Sequence, residues 1–145
     1  MYQETVAGSD LTEIEEFLGR LGLDTRHSLR LLYWVYRRGI KSFEEINDIP
    51  LKSLRALSEN AVTGLSSPVT SEVSSDGSEK YLFTTPGGLI HETVWLPDGK
   101  RRTVCVSVQS GCRMGCRFCA TGKNGWRGDL TAGEIINQVV SLPHE

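Results

Sequence analysis

The sequence predicts a mixed chain, α+β passing into α/β. A small amino-terminal helical bundle comes first, then a β-hairpin, then a strand–loop–helix unit. Three observations carry this. Apolar residues recur at helical spacing through residues 10–65. Runs rich in Val, Thr and Leu alternate at period two between residues 80 and 108, broken by Pro86-Gly87-Gly88 and Pro97-Asp98-Gly99. Between the last of these runs and a final helical pattern lies Gly111–Thr121, which sets Cys112, Cys116 and Cys119 in the spacing C-x3-C-x2-C.

Residues 1–9 have no periodicity and read as a mobile tail. Ser9 or Asp10 caps a helix through about Leu21, with Leu11, Ile14, Phe17, Leu18 and Leu21 on one face and Gly19 and Gly22 near its end. Asp24 or Thr25 caps the next, over 26–38, where Leu29, Leu32, Tyr33 and Tyr36 form a stripe that Leu31, Trp34 and Val35 widen. Gly39 stops it. Ser42 and Glu45 form a capping box for a short helix to Asn47. Pro50 opens a helix over 51–62, with Leu51, Leu54, Leu57 and Leu65 as candidate core. Its aromatic-rich helix reads as core, and Arg26, Arg30, Arg37 and Arg38 as its wet side or as phosphate contacts.

Residues 66–79 are rich in serine and turn formers. They read as a linker at the domain boundary, with a short strand near Val69–Val73. The second domain, 80–145, starts with the hairpin Lys80–Thr84 and Leu89–Leu96. In the strand Arg102–Val108, Val104, Val106 and Val108 point one way and Thr103, Cys105 and Ser107 the other. A helix over 132–142 follows the cysteine loop, with Thr131 and Glu134 as a capping box.

The 145 residues carry 16 basic and 18 acidic side chains, so overall charge does not point to nucleic acid. The distribution says more. Arg101, Arg102, Arg113, Arg117, Lys123 and Arg127 fall in 101–127 with no acid among them. Such a segment offsets thiolate charge, faces phosphates, or is a solvated loop. No apolar run is long enough to span a membrane, and no secretory segment opens the sequence. A cytoplasmic setting is expected, in which four cysteines are metal-binding or catalytic rather than disulfide-paired.

Three thiolates within eight residues suit a soft metal centre. A four-iron cluster held by three of them keeps one iron for chemistry, whereas electron-transfer clusters have every iron ligated by protein. Zinc and free thiols are the alternatives. Zinc wants a fourth ligand, and His91, His144 and Cys105 all lie off the usual intervals.

The C-x3-C-x2-C motif with Phe118 before its last cysteine resembles the signature of the radical S-adenosylmethionine enzymes. The flanking residues narrow the resemblance. Cys105-Val-Ser-Val-Gln-Ser-Gly-Cys112, Phe118-Cys119-Ala-Thr-Gly122, Gly125-Trp126 and Leu130-Thr-Ala-Gly-Glu134 through Val139 are similar to the adenine-C2 methyltransferases of ribosomal and transfer RNA. The resemblance runs from about residue 10 to residue 142.

The resemblance implies a radical-SAM partial TIM barrel, of which this chain holds the first βα unit, with residues 10–65 as an accessory domain that helps hold RNA. It implies that Cys112, Cys116 and Cys119 ligate a 4Fe-4S cluster whose open iron binds S-adenosylmethionine. Cys105 would form a disulfide with a downstream methyl-carrying cysteine, and Glu92 would accept the proton lost from C2. Read without the resemblance, Cys105 is a small apolar residue and Glu92 an exposed strand carboxylate. The expected function is methylation of adenine C2 in ribosomal RNA, transfer RNA or both, with flavodoxin or ferredoxin as electron donor and the protein a monomer. Another radical-SAM enzyme, or a non-catalytic zinc-containing RNA-binding module, is the competing reading. A full barrel takes about 250 residues, so the chain is expected to be the front part of a longer enzyme and inactive alone. Ser110 and Gly128-Asp129 depart from the family pattern beside the loop, at positions often held by valine and by a residue followed by asparagine.

Overall fold

The two periodicities fold into two separate packing units in the computed structural model, which describes residues 3–143. The first unit comprises residues up to Ser66 together with Ala132–Val140; the second comprises Ser67–Thr131 and the residues from Ser141.

In the first unit, β1 (Glu4–Thr5) precedes α1 (Leu11–Arg20). Asp10 caps α1 in a full capping box: its carboxylate accepts from Glu13 N at 2.9 Å, and Glu13 accepts from Asp10 N at 2.9 Å. A turn of 3₁₀ helix at Thr25–His27, capped by Asp24, leads into α2 (Ser28–Leu32), which continues as a π turn over Tyr33–Arg37. A 3₁₀ turn at Phe43–Glu45 carries the capping box between Ser42 and Glu45. Then come α3 (Leu51–Asn60) and β2 (Ala61–Val62), and α5 (Ala132–Val140) completes the unit. Ile14, Phe17, Leu18, Leu31, Val35, Phe43, Leu54 and Leu57 are in its core.

Several expectations are corrected here. Residues 3–9 are not a tail. β1 pairs in parallel with β2, Glu4 opposite Ala61 and Thr5 opposite Val62, and Val6 and Ala7 are buried. Tyr36 Oη fixes this strand by accepting from Gly8 N at 2.9 Å and donating to Ser9 O at 2.8 Å.

The stripe on α2 is also displaced. Leu29 is 66% and Tyr33 53% exposed, whereas Ser28, Leu31 and Val35 are buried. Aliphatic Leu31 and Val35 fill the interior; Trp34 and Tyr36 stay half-buried at the rim because their polar tips need partners. Trp34 Nε1 finds one in Asp48 Oδ1 at 2.7 Å. Leu51, expected in the core, is 63% exposed in the first turn of α3.

The second unit is a four-stranded antiparallel sheet in the order β3-β4-β5-β6: β3 (Thr70–Val73), β4 (Glu79–Thr84), β5 (Ile90–Asp98) and β6 (Arg101–Cys105). Residues 66–79 are therefore more than a linker, since β3 forms a full ladder with β4 from Thr70 opposite Leu82 to Val73 opposite Glu79. One face buries Tyr81, Phe83, His91 and Thr93, with Trp95 and Val104 half-buried; Leu142 packs with Tyr81 and Phe83. The other carries Lys80, Glu92 and Cys105.

β6 stops at Cys105, three residues short of the expected strand. Ser107 Oγ donates to Glu92 O at 2.7 Å and occupies an acceptor that a longer ladder could use. Val108 is consequently exposed. The last helix packs with the first unit rather than the second. Asn137 anchors it there, accepting from Ser66 N at 2.8 Å and donating to Ser66 Oγ at 3.1 Å. Among the described residues, no helix is long and apolar enough to cross a membrane.

Leu18→Ala, inside the first core, is expected to lower unfolding free energy by about 2–5 kcal/mol. Leu51→Ala is expected to change it by less than about 0.5 kcal/mol. Urea titrations followed by circular dichroism measure both, and equal losses would contradict the packing described.

Candidate metal centre

The loop between Gly111 and Gly125 is closed at its base by a short ladder. β7 (Gln109–Ser110) pairs antiparallel with β8 (Gly128–Asp129), Gln109 opposite Asp129 and Ser110 opposite Gly128. Leu130 N donates to Val108 O at 3.0 Å, Arg127 N to Ser110 O at 2.8 Å, and Cys112 N to Gly125 O at 3.3 Å. The approach at Gly111 admits no side chain. Its φ is +73°, and a Cβ there would fall 1.6 Å from Gly125 O. Higher in the loop, Gly122 lies against the Cys116 backbone, where a Cβ would meet Cys116 N at 2.9 Å.

This closure holds the three cysteines on one folded-back loop. All three are half-buried, and none is in a disulfide. Cys119 precedes the single-turn helix α4 (Ala120–Lys123), and Lys123 N donates to Cys119 O at 3.1 Å. The N–H of Gly122 holds the Cys119 thiol below its ordinary pKa; the N–H and hydroxyl of Thr121 add to this, and burial opposes it. Met114 N approaches Cys112 Sγ at 3.5 Å.

Among the described residues no group of three or more His, Cys, Asp or Glu side chains is gathered tightly enough to hold a metal ion. Ligand sets of this kind close through their bonds to metal, which couples loop geometry to binding. The donor chemistry itself fits an iron–sulfur group: three soft donors lie on a loop held at both ends, one of them biased toward thiolate.

Glu92 and Cys105 share the wet face of the sheet. Cys105 is directly opposite Val94, two residues along β5 from Glu92, which makes the two side chains diagonal neighbours. Both are exposed. A cavity of about 260 Å³ connects Glu92 with the cysteine loop; Ser107, Gly111, Thr121, Asn124 and Arg127 line it beside the carboxylate. Cys105 is not part of its lining. The candidate zinc ligand His91 is buried, its ring stacked on Phe83 at 5.7 Å between centroids. His144 lies outside the described residues.

Two features escaped the sequence reading. Lys80 Nζ stands 3.5 Å from Glu92 Oε1 and 3.4 Å from Glu72 Oε2, joining three strands by charge. Strand register alone brings them together, and no local motif signals it. Asp129 gathers Gln109, Trp126 and Arg113. Its position beside Leu130-Thr131 was visible as a departure, but its partners were not.

Gly111→Ala is expected to open the loop base. The amides of Cys112 and Arg127 should then exchange faster, with a destabilisation of about 1–3 kcal/mol; unchanged exchange would show that the tight approach is not maintained. Cys119 offers a second check. Its depressed folded pKa stabilises the loop above the ordinary thiol pKa, and this stabilisation is lost as pH falls through the folded value. Alkylation of Cys119, mapped by mass spectrometry, should begin at lower pH in the folded chain than in urea. A midpoint at the same or higher pH would mean that the Gly122 and Thr121 bonds do not form.

No family model matches the chain. It is similar to a probable dual-specificity RNA methyltransferase RlmN of Phocaeicola vulgatus, with 40% identity over 136 residues, covering 94% of this chain and 39% of that protein. The dual-specificity RNA methyltransferase RlmN of Geobacter sulfurreducens is 37% identical over 140 residues, covering 97% and 39%. A crystal structure of a radical SAM methyltransferase from Sphaerobacter thermophilus superimposes with a TM-score of 0.87 at 36% identity, covering 95% of this chain and 41% of that one. The chain spans about two fifths of the length of the curated relatives it matches.

Proposed function

We propose that this chain, similar to RlmN-type RNA methyltransferases and to a radical SAM methyltransferase structure over about two fifths of their length, is the cluster-bearing part of an enzyme that methylates C2 of adenine in ribosomal or transfer RNA. The observation that carries this is the glycine-closed loop with three free cysteines, whose Gly111, Thr121 and Asn124 line a cavity together with Glu92.

Cys112, Cys116 and Cys119 would hold a 4Fe-4S cluster. Once bound, with S-adenosylmethionine, the cluster supplies the one-electron chemistry that ordinary methyl transfer to a carbon like C2 lacks. The chain's own residues do the rest of the work assigned here. The ladder at the loop base fixes the thiols' attachment. Glu92, on the rim of the cavity and oriented by Lys80, accepts the proton released from C2. Cys105 is exposed on the same face; its thiolate would attack the sulfur of the methyl-carrying cysteine of the longer polypeptide, forming a disulfide as the bond from that sulfur to the transferred carbon breaks and the carbon keeps the electron pair. Arg101, Arg102, Arg117, Lys123 and Arg127 face RNA phosphates, and the first unit's helices help hold the RNA. β6 and the cysteine loop would contribute to a partial barrel of the longer polypeptide. A flavodoxin or ferredoxin delivers the electron, and the enzyme works as a cytoplasmic monomer.

Anaerobic reconstitution with iron and sulfide tests the cluster assignment. The 145-residue chain should turn brown and bind iron with acid-labile sulfide, and Cys112→Ala should lose most of both. Binding of one zinc without sulfide would overturn the assignment in favour of a zinc-containing module.

A further inference from the structure

Asp129 is the hub of a side-chain cluster that the proposed function does not use. Its Oδ1 accepts from Gln109 Nε2 at 2.5 Å and from Trp126 Nε1 at 3.2 Å. Its Oδ2 accepts from Arg113 Nη2 at 3.4 Å. The Arg113 guanidinium in turn lies over the Trp126 ring, 3.9 Å from its centroid. The two oxygens therefore serve different parts of the loop. Oδ1 ties together the two strands of the base; Oδ2 reaches the residue immediately after Cys112.

The position matters because, among the described residues, the hydrogen bonds of Cys112 itself are long: its sulfur accepts from Met114 N at 3.5 Å. Its N–H donates to Gly125 O at 3.3 Å, and the chain beyond it, through Met114, is exposed. An ion pair between two exposed side chains contributes little alone. Here the cation is also stacked on an indole, and the indole donates to the same carboxylate, so three contacts constrain one geometry.

We propose that Asp129 is a positioning residue for the cysteine loop: through Arg113 stacked on Trp126, it holds the arm carrying Cys112 in place before metal arrives. The inference rests on the reading of this loop as a cluster holder. It assigns a function to a carboxylate where the resembling family often has asparagine, which could keep the Oδ1 bonds but not the ion pair.

The test uses the 145-residue chain without metal. Asp129→Asn keeps an acceptor for Gln109 and Trp126, and Arg113→Gln leaves the base untouched. Both should speed alkylation of Cys112 by about two- to five-fold, the size expected for losing exposed contacts of this kind. Cys119 should alkylate at its original rate, and amide exchange at Arg127 and Leu130 should not change. Iron uptake during reconstitution should slow in the same two variants. Asp129→Ala should loosen both the arm and the base. Unchanged Cys112 reactivity in Asp129→Asn and Arg113→Gln would overturn the proposal, as would an equal rise at Cys119, which would mean general loosening. If the unmodified chain binds no iron and sulfide, the cluster reading fails, and the alkylation rates still decide whether Asp129 positions Cys112.

Discussion

The contact between Gly111 and Gly125 is the constraint on which the site depends. Two backbones pass so closely there that a methyl group would overlap the Gly125 carbonyl. This approach lets Cys112 N–H bond across the loop and lets the Gln109–Ser110 ladder meet Gly128–Asp129 in register. Without it, the loop would be joined only further down, where Arg127 N bonds to Ser110 O and Leu130 N to Val108 O. With it, the residues between form a closed loop whose upper half is again folded back, at Gly122 against Cys116. Glycine is needed at both places for lack of bulk, and at Gly111 for its positive φ as well.

The sheet performs a different task, sorting side chains by parity. Tyr81, Phe83, Thr93 and Val104 face the apolar interior, and the same alternation puts Lys80, Glu92 and Cys105 on the wet side. A carboxylate and a thiol thereby become neighbours although thirteen positions separate them. Ser107 ends the β6 ladder by bonding the Glu92 carbonyl, and the chain turns from strand to loop beside the cavity. The end of pairing and the start of the candidate site are thus the same local event.

In the first unit, helices that are individually short are held by contacts distant in sequence. Tyr36 bonds to both Gly8 and Ser9, and β1 pairs with a strand that follows the last of the early helices. Isolated helices of ten residues are marginal in water. Burial of Ile14, Phe17 and Leu18 against Leu31, Val35 and Leu57 offsets that weakness, and β1 closes one edge of the assembly.

Much of this was legible locally. Capping chemistry marked Asp10, Asp24 and the Ser42–Glu45 box, because a cap is made within three or four residues. Pro86-Gly87-Gly88 marked the hairpin, because turn geometry depends on the residues in the turn. The cysteine spacing identified soft donors on a loop for the same reason. What tertiary structure decided was every relation between distant residues: the burial of Val6 in what read as a tail, the strand 70–73 within what read as a linker, and the partnership of the last helix with the first unit. It also decided which side of an aromatic-rich helix turned inward, where two overlapping stripes were both apolar enough and only hydrogen-bond partners for Trp34 and Tyr36 separated them. The union of Asp129 with Arg113 and Trp126 belongs to the same class. Sequence alone determines what each short segment prefers, since those preferences arise from backbone torsions and neighbouring side chains. Which segments meet depends on how their apolar faces can be buried together, and that is a property of the whole chain.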